Sequence, residues 1–288
     1  MGDAKTPIEN RFRKAWTQID RTETHPRKMR QIRRVPWPEF REKVIAQEPG
    51  FVTELVGNIY AGDVYILEGS YPKDFCRELI EKTFAWGQTR EPSFHKVLEG
   101  SPDFHRVVNK DLAQNYSFQR VYHHYFFYRW NGDPLKIWNV IDQRWGIFKF
   151  LGGFGFDEYT RNSPKDGIVD RIHIHHYPQG AGEIETHSDP YKHQRTIMGA
   201  LLNKKGVDFK TGGLYFIDQH DRRIDVDGQL DVGDSYIGFP TVLHGLDVID
   251  QGTPVDWTLP KGRWFLGFYS LESDTIGERH TGHSVKGY

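Results

Sequence analysis

The chain has 288 residues, with 38 Lys and Arg against 39 Asp and Glu. A net charge near zero argues against general nucleic-acid binding and against a polybasic membrane surface. The single cysteine, Cys76, excludes an internal disulfide framework and a cysteine-rich zinc or iron–sulfur site, and fits a reducing, cytoplasmic setting.

The first residues, MGDAKTPIENRFRKAW, lack the apolar h-region of a signal peptide. No apolar run approaches the roughly 20 residues of a membrane span. Residues 1–35 hold ten Lys and Arg against four Asp and Glu. Residues 1–50 are read as an irregular or partly helical arm, punctuated by Pro26, Pro36, Pro38 and Pro49, with its basic start solvated or loosely docked. The remainder, 51–288, is read as one domain.

Residues 64–67 (VYIL) read as a short strand. The next stretch, GSYPKDFCRELIEKTFAWG, reads as an amphipathic helix, capped by Ser70 and stopped at Gly87, with Phe75, Leu79, Ile80 and Phe84 at helical spacing. The aromatic run VYHHYFFYRW around His123 and His124 reads as a buried strand with polar tips; a substrate wall is the sharper alternative. A second helix is expected over Pro134–Leu151, with Ile137, Ile141, Trp145 and Phe148 on one face. From about Asp170 the period changes to two. RIHIHHY, RTIMGALLN, GGLYFID, DSYIGF, LHGLDVI and RWFLGFYSL are strand candidates separated by turn residues. Many short strands in series predict a mainly β fold with added α. Its jelly-roll core would span about 170–275, with the segment 70–169 supplying helical support and much of a substrate pocket.

The sharpest local feature is His187-Ser188-Asp189. In an extended segment residues i and i+2 point to one side, so an imidazole and a carboxylate can meet one metal ion. His244, after an apolar strand and Pro240, is the candidate third ligand. Two His and one carboxylate on one face of an octahedron suit ferrous oxygen chemistry.

The sequence here resembles the Fe(II)/2-oxoglutarate-dependent dioxygenases, in their prolyl-4-hydroxylase-like branch. Five elements carry the likeness across residues 171–271. They are the Tyr-Pro-Gly loop HHYPQGAGEIETHSDP with Tyr177, Gly180 and Gly182; the strand ending in Leu202-Asn203; Gly212-Gly213-Leu214-Tyr215-Phe216; Gly233-Asp234 through Phe239-Pro240 to His244; and Gly262-Arg263-Trp264-Phe265-Leu266. The strand and helix over 64–86 resemble the family's lead-in less specifically.

The resemblance implies a double-stranded β-helix. It implies Fe(II) on His187, Asp189 and His244, and 2-oxoglutarate with its distal carboxylate on Arg263 helped by Tyr177. Dioxygen would be the oxidant, ascorbate a stimulant, and succinate and carbon dioxide the co-products. The reaction would be oxidation of an unactivated C–H bond: hydroxylation first, with desaturation or oxidative cyclisation as variants. A guanidinium grips a carboxylate through two charge-assisted hydrogen bonds, which agrees with that role for Arg263. Asp189 fills the position that related halogenases leave open for halide.

Two departures stand out. Arg263 follows His244 by 19 residues where the family often has about ten, so DQGTPVDWTLPK is read as a long hairpin loop. Leu201 stands where many members carry Tyr, leaving Tyr177, Thr196 or Ser235 to supply a hydroxyl. Among other histidines, His173, His175 and His176 could form a cupin-like His-x-His pair, but a structural or pocket-lining role is preferred. Arg195 could meet an anionic substrate or lie on a strand surface. The partner expected is a small molecule with rings or acidic groups, with no nucleic acid and no membrane. A peptidyl residue, a cupin-like enzyme without 2-oxoglutarate and a non-catalytic jelly roll are the alternatives.

Overall fold

A computed structural model describes residues 9–285 apart from Glu23, Ser117 and Thr281. The first eight residues of the expected arm lie outside the described residues. The part of the arm from residue 9 onward is not loosely docked. Helix α1 (Arg11–Ile19) starts where the Asn10 side chain accepts from the Arg13 amide. Its Phe12 and Trp16 are fully buried, and the Trp16 indole N–H donates to the Leu151 carbonyl at 2.7 Å. Burial of Phe12 alone is worth about 2–3 kcal/mol. The cationic composition of this segment concealed two aromatic anchors four residues apart on one helix face.

Strand β1 (Ile32–Pro36) runs into α2 (Trp37–Ala46), which ends at Gln47 in the left-handed region. Helix α3 (Pro49–Tyr60) leads to β2 (Val64–Glu68) and α4 (Lys73–Gln88). Ser70 does not cap α4; its hydroxyl donates back to the Leu67 carbonyl, and Pro72 occupies the cap position. Gly87 does not stop the helix either. It lies inside the last turn, where a Cβ would come within 2.7 Å of the Tyr125 ring. The glycine therefore serves close helix–sheet approach.

Strand β3 (Phe104–Val108), the short α5 (Lys110–Ala113), β4 (Arg120–Tyr128) and α6 (Trp138–Leu151) come next. The remaining strands are β5 (Ile168–Pro178), β6 (Glu183–Ser188), β7 (Ile197–Leu201), β8 (Gly213–Ile217) and β9 (Arg223–Asp225). β10 (Ser235–Gly238), β11 (His244–Asp247), β12 (Gly262–Glu272) and β13 (His283–Ser284) complete them.

The major sheet has the order β1-β2-β10-β7-β12-β5-β4-β3, antiparallel except for β1 on β2. The minor sheet is β9-β8-β11-β6. The first residues of β4 also pair with β6, so β4 closes one corner of the sandwich. This is the expected jelly roll, but four strands that precede residue 170 belong to its major sheet. The outer face of that sheet is covered by α4 and α6: Phe84 meets Trp264, and Trp145 and Phe148 meet Phe268. The segment 248–261 is not a hairpin loop. It crosses from β11 in the minor sheet to β12 in the major sheet, packing Trp257 on the core. Among the described residues no helix is long and apolar enough to cross a membrane.

Candidate active site

His187 and His244 are direct cross-strand partners in the β6–β11 pairing, and the register shifts just beyond them. Their ring centroids are 4.4 Å apart. Asp189, two residues on from His187, is held by its amide on the Pro240 carbonyl. Its two carboxylate oxygens lie 3.7 Å from His187 Nε2 and 3.6 Å from His244 Nε2. One ligand atom from each residue falls within 4.8 Å of the others.

The imidazoles are oriented by their own strands. His187 Nδ1 donates to the Glu185 carbonyl at 2.8 Å and His244 Nδ1 to the Val242 carbonyl at 2.9 Å. A carbonyl only accepts, so each Nδ1 carries a proton and each ring is turned with its Nε2 toward the shared point. Phe118 stacks on His187 at 4.4 Å and Phe216 on His244 at 5.3 Å. Burial, reinforced by His244, lowers the His187 pKa to about 4, which keeps it neutral. Burial acts to raise the Asp189 pKa, but the two imidazoles hold it below the usual carboxylate value. Two imidazole nitrogens and a carboxylate held ionised form a donor set suited to a divalent metal. Gly245 is required beside it, because a Cβ there would overlap the Tyr215 hydroxyl.

The triad opens on a cavity of about 440 Å³ between the two sheets. Arg263 and Tyr177, adjacent across the β12–β5 pairing, line the same cavity. Arg263 is buried, and its Nε and Nη2 grip Asp227 at 2.5 and 2.9 Å. Asp227 also accepts from the Leu214 amide at 2.8 Å. Burial opposes the charge on Arg263, yet Asp227 raises its pKa above the ordinary value. The pair engages one edge of the guanidinium. Nη1 makes no hydrogen bond to the described residues.

No protein-family model matches the chain, and no curated protein is similar to it in sequence. Its fold is similar to several solved structures. JOX2, crystallised with 2-oxoglutarate, iron and JA, is 13% identical over 94% of this chain and 85% of its own, with a TM-score of 0.50. A full-length protein of Neurospora crassa, crystallised with α-ketoglutarate, is 11% identical over 85% and 86%, with a TM-score of 0.45. A prolyl-4-hydroxylase of Pseudomonas putida is 13% identical over 72% and 91%, with a TM-score of 0.44. The chain shares its fold with JOX2.

Within that fold the remaining expected residues separate. Thr196 and Ser235 do not line the cavity; both hydroxyls are buried and unpartnered among the described residues. The parity of β10 turns Ser235 away and turns its neighbour Tyr236 inward. Tyr236 lies where the charges of both Arg263 and Asp189 reach it, and burial raises its pKa. Sequence reasoning missed it by one residue. Tyr177 remains a candidate hydroxyl, 3.3 Å from His175 Nδ1.

Arg195 is turned from the cavity toward α1, binding the Gly152 carbonyl and Asp20. His176 stacks on Trp264 on the far side of the sheet. His173 and His175 face the cavity beside His124, and their ligand atoms fall within 4.8 Å of one another. His123, one residue from His124, points the other way and bonds His105 at 2.7 Å. The aromatic run is thus both a buried strand and a cavity wall.

Proposed function

We propose that this chain is an Fe(II)- and 2-oxoglutarate-dependent oxygenase that oxidises an unactivated C–H bond of a small molecule. The observation that carries the reading is the His187–Asp189–His244 set. Two Nε2 atoms and a carboxylate converge, with both Nδ1 atoms already engaged. These three residues would hold the metal and leave the positions facing the cavity to ligands. The metal with its keto acid and dioxygen supplies the oxidising power, yielding succinate and carbon dioxide alongside the oxidised product.

The protein's own part is orientation and dryness. Arg263, with Tyr177 or Tyr236, would take the distal carboxylate of 2-oxoglutarate through the guanidinium edge that Asp227 leaves open. Phe118 and Phe216 shield the two imidazoles. Asp189 occupies the carboxylate position, which favours hydroxylation over halogenation. The likeness in fold to JOX2, crystallised with 2-oxoglutarate and iron, accords with this reading.

The test is anaerobic titration of the Fe(II)-loaded protein with 2-oxoglutarate. A weak visible charge-transfer band, then succinate release on admitting air, is the expected result. Bound iron without the band would overturn the cosubstrate assignment, and absence of iron binding would overturn the metal site.

A further inference from the structure

The major-sheet wall of the cavity carries cationic charge that no described carboxylate pairs. Of the cationic side chains lining the cavity, Lys192 lies beside Glu272, Arg263 beside Asp227 and Arg279 beside Asp274. Arg106 on β3, Arg120 at the start of β4 and Arg171 on β5 have no carboxylate partner among the described residues. Each is instead laid against aromatic faces. Arg120 sits over Tyr116 at 4.2 Å and Phe118 at 4.5 Å, Arg106 over Phe94 at 4.7 Å, and Arg171 over Phe126 at 4.7 Å.

The strand register gathers them round three imidazoles. Arg106 opposes His124, and His124 opposes His175. His124 and His175 stack at 4.0 Å, and the His173 ring lies 4.7 Å from that of His124. Arg171 donates to His173 Nε2, so that imidazole is neutral with its proton on Nδ1. The Nε2 atoms of His124 and His175, on residues only 5% and 6% exposed, have no hydrogen-bond partner among the described residues. Nor has the buried Nε of Arg120. Buried polar atoms in a native protein are ordinarily satisfied, so three such orphans clustered on one wall mark it as polar and incompletely partnered among the described residues.

Burial is the main cause that lowers the pKa values of His124, His173 and His175, and arginine charges add to it in each case. Arg120 lies over Phe118, which stacks on His187, so this arginine borders the triad as well as the imidazoles. A second metal ion on the three imidazoles is disfavoured, since the nearest unbalanced charges are cationic and His173 Nε2 is already occupied. An anion is favoured on both counts.

We infer that the substrate is a carboxylic acid with an apolar, ring-sized body, and that Arg120 and Arg171 bind its carboxylate against the His124–His175 edge. Arg106 adds long-range attraction from the neighbouring strand. Phe118, Tyr122 and Val108, on the triad side of His124, supply apolar surface for the body. Held there, the acid extends toward His187 and His244, so oxidation falls on a carbon away from the carboxylate. That the acid is a substrate rests on the oxygenase reading; its recognition by the wall does not.

The experiment is calorimetric titration of the Fe(II)- and 2-oxoglutarate-loaded protein under argon. The probes are phenylacetate, 4-phenylbutyrate, 1-naphthylacetate and decanoate, each beside its neutral amide. At least one acid is expected to bind about tenfold or more tightly than its amide. Arg171→Gln should abolish that preference, and Arg171→Lys, which keeps the charge, should restore most of it. Equal binding of acid and amide overturns the inference, as does failure of every acid to bind. Acids that compete with 2-oxoglutarate also overturn it, by assigning these arginines to the cosubstrate. If the charge-transfer band is absent, the oxygenase reading falls. The same titration on metal-free protein then still decides whether the wall selects carboxylates.

Discussion

The two walls of the cavity differ in how their polar groups are satisfied. On the minor sheet both imidazoles are oriented locally: His187 and His244 each bond a carbonyl two residues back. On the major sheet the partners are distant in sequence, as with Arg263 and Asp227, or lacking, as with the Nε2 atoms of His124 and His175. A site built from local contacts is complete before a ligand arrives. A wall with unpartnered polar atoms and unpaired arginines keeps capacity for one.

The largest expected effect falls on the locally built side. His187→Ala or Asp189→Ala should abolish stoichiometric ferrous binding by the purified protein, and retained iron in either variant would remove that ligand from the site. Next is the long-range pair. Asp227→Ala leaves a buried guanidinium without its counter-charge and should cost about 3–5 kcal/mol of stability, read from denaturant unfolding. Arg263→Lys keeps a charge but loses the fork. It should raise the 2-oxoglutarate requirement about ten- to a hundredfold, corresponding to roughly 1.5–3 kcal/mol; an unchanged requirement would move the carboxylate elsewhere.

Stability should also depend on pH through the major sheet. Burial is the main cause that lowers the pKa of His123 to about 2, of His175 to about 3 and of His176 to about 4. Below about pH 6.5 the unfolded chain takes up protons that the native state refuses, so stability falls as pH drops from about 6.5 toward 4. Urea midpoints at about pH 7.5, 6.5 and 5.5 should decline in that order; a flat profile would mean that these rings are not held neutral. The smallest effect separates two neighbours on β10. Tyr236→Phe should weaken 2-oxoglutarate binding a few-fold, and Ser235→Ala should leave it unchanged. The reverse order would restore the serine as the helping hydroxyl.

The same contrast explains what could be read from the sequence. The triad was legible because an H-x-D pair in a strand shares a face by the period of two, and because Gly and Pro mark the turns around it. The later strands were legible for the same reason. The Arg263–Asp227 pair was not, since 36 residues and a change of sheet separate its members. Tyr236 was missed because alternation fixes which residues share a face but not which face is inward. The run on β4 reads as a buried strand with a substrate wall as the alternative, because its register against β5, which sets His124 against His175, is not written in the sequence. Helix α1 was read by its charge, and its Phe12 and Trp16 were overlooked.

That N-terminal segment has a consequence for handling the protein. β1 lies along β2, whose VYIL stretch is buried, and presents Arg33 and Arg34 in the outermost strand of the sheet. Cut away as a dispensable basic tail, the residues before α3 would leave an apolar strand edge with open amides and carbonyls. Such an edge is a template for another chain. The truncated protein would then be lost to aggregation before its chemistry could be assayed, and a failed activity measurement on it would say nothing about the site.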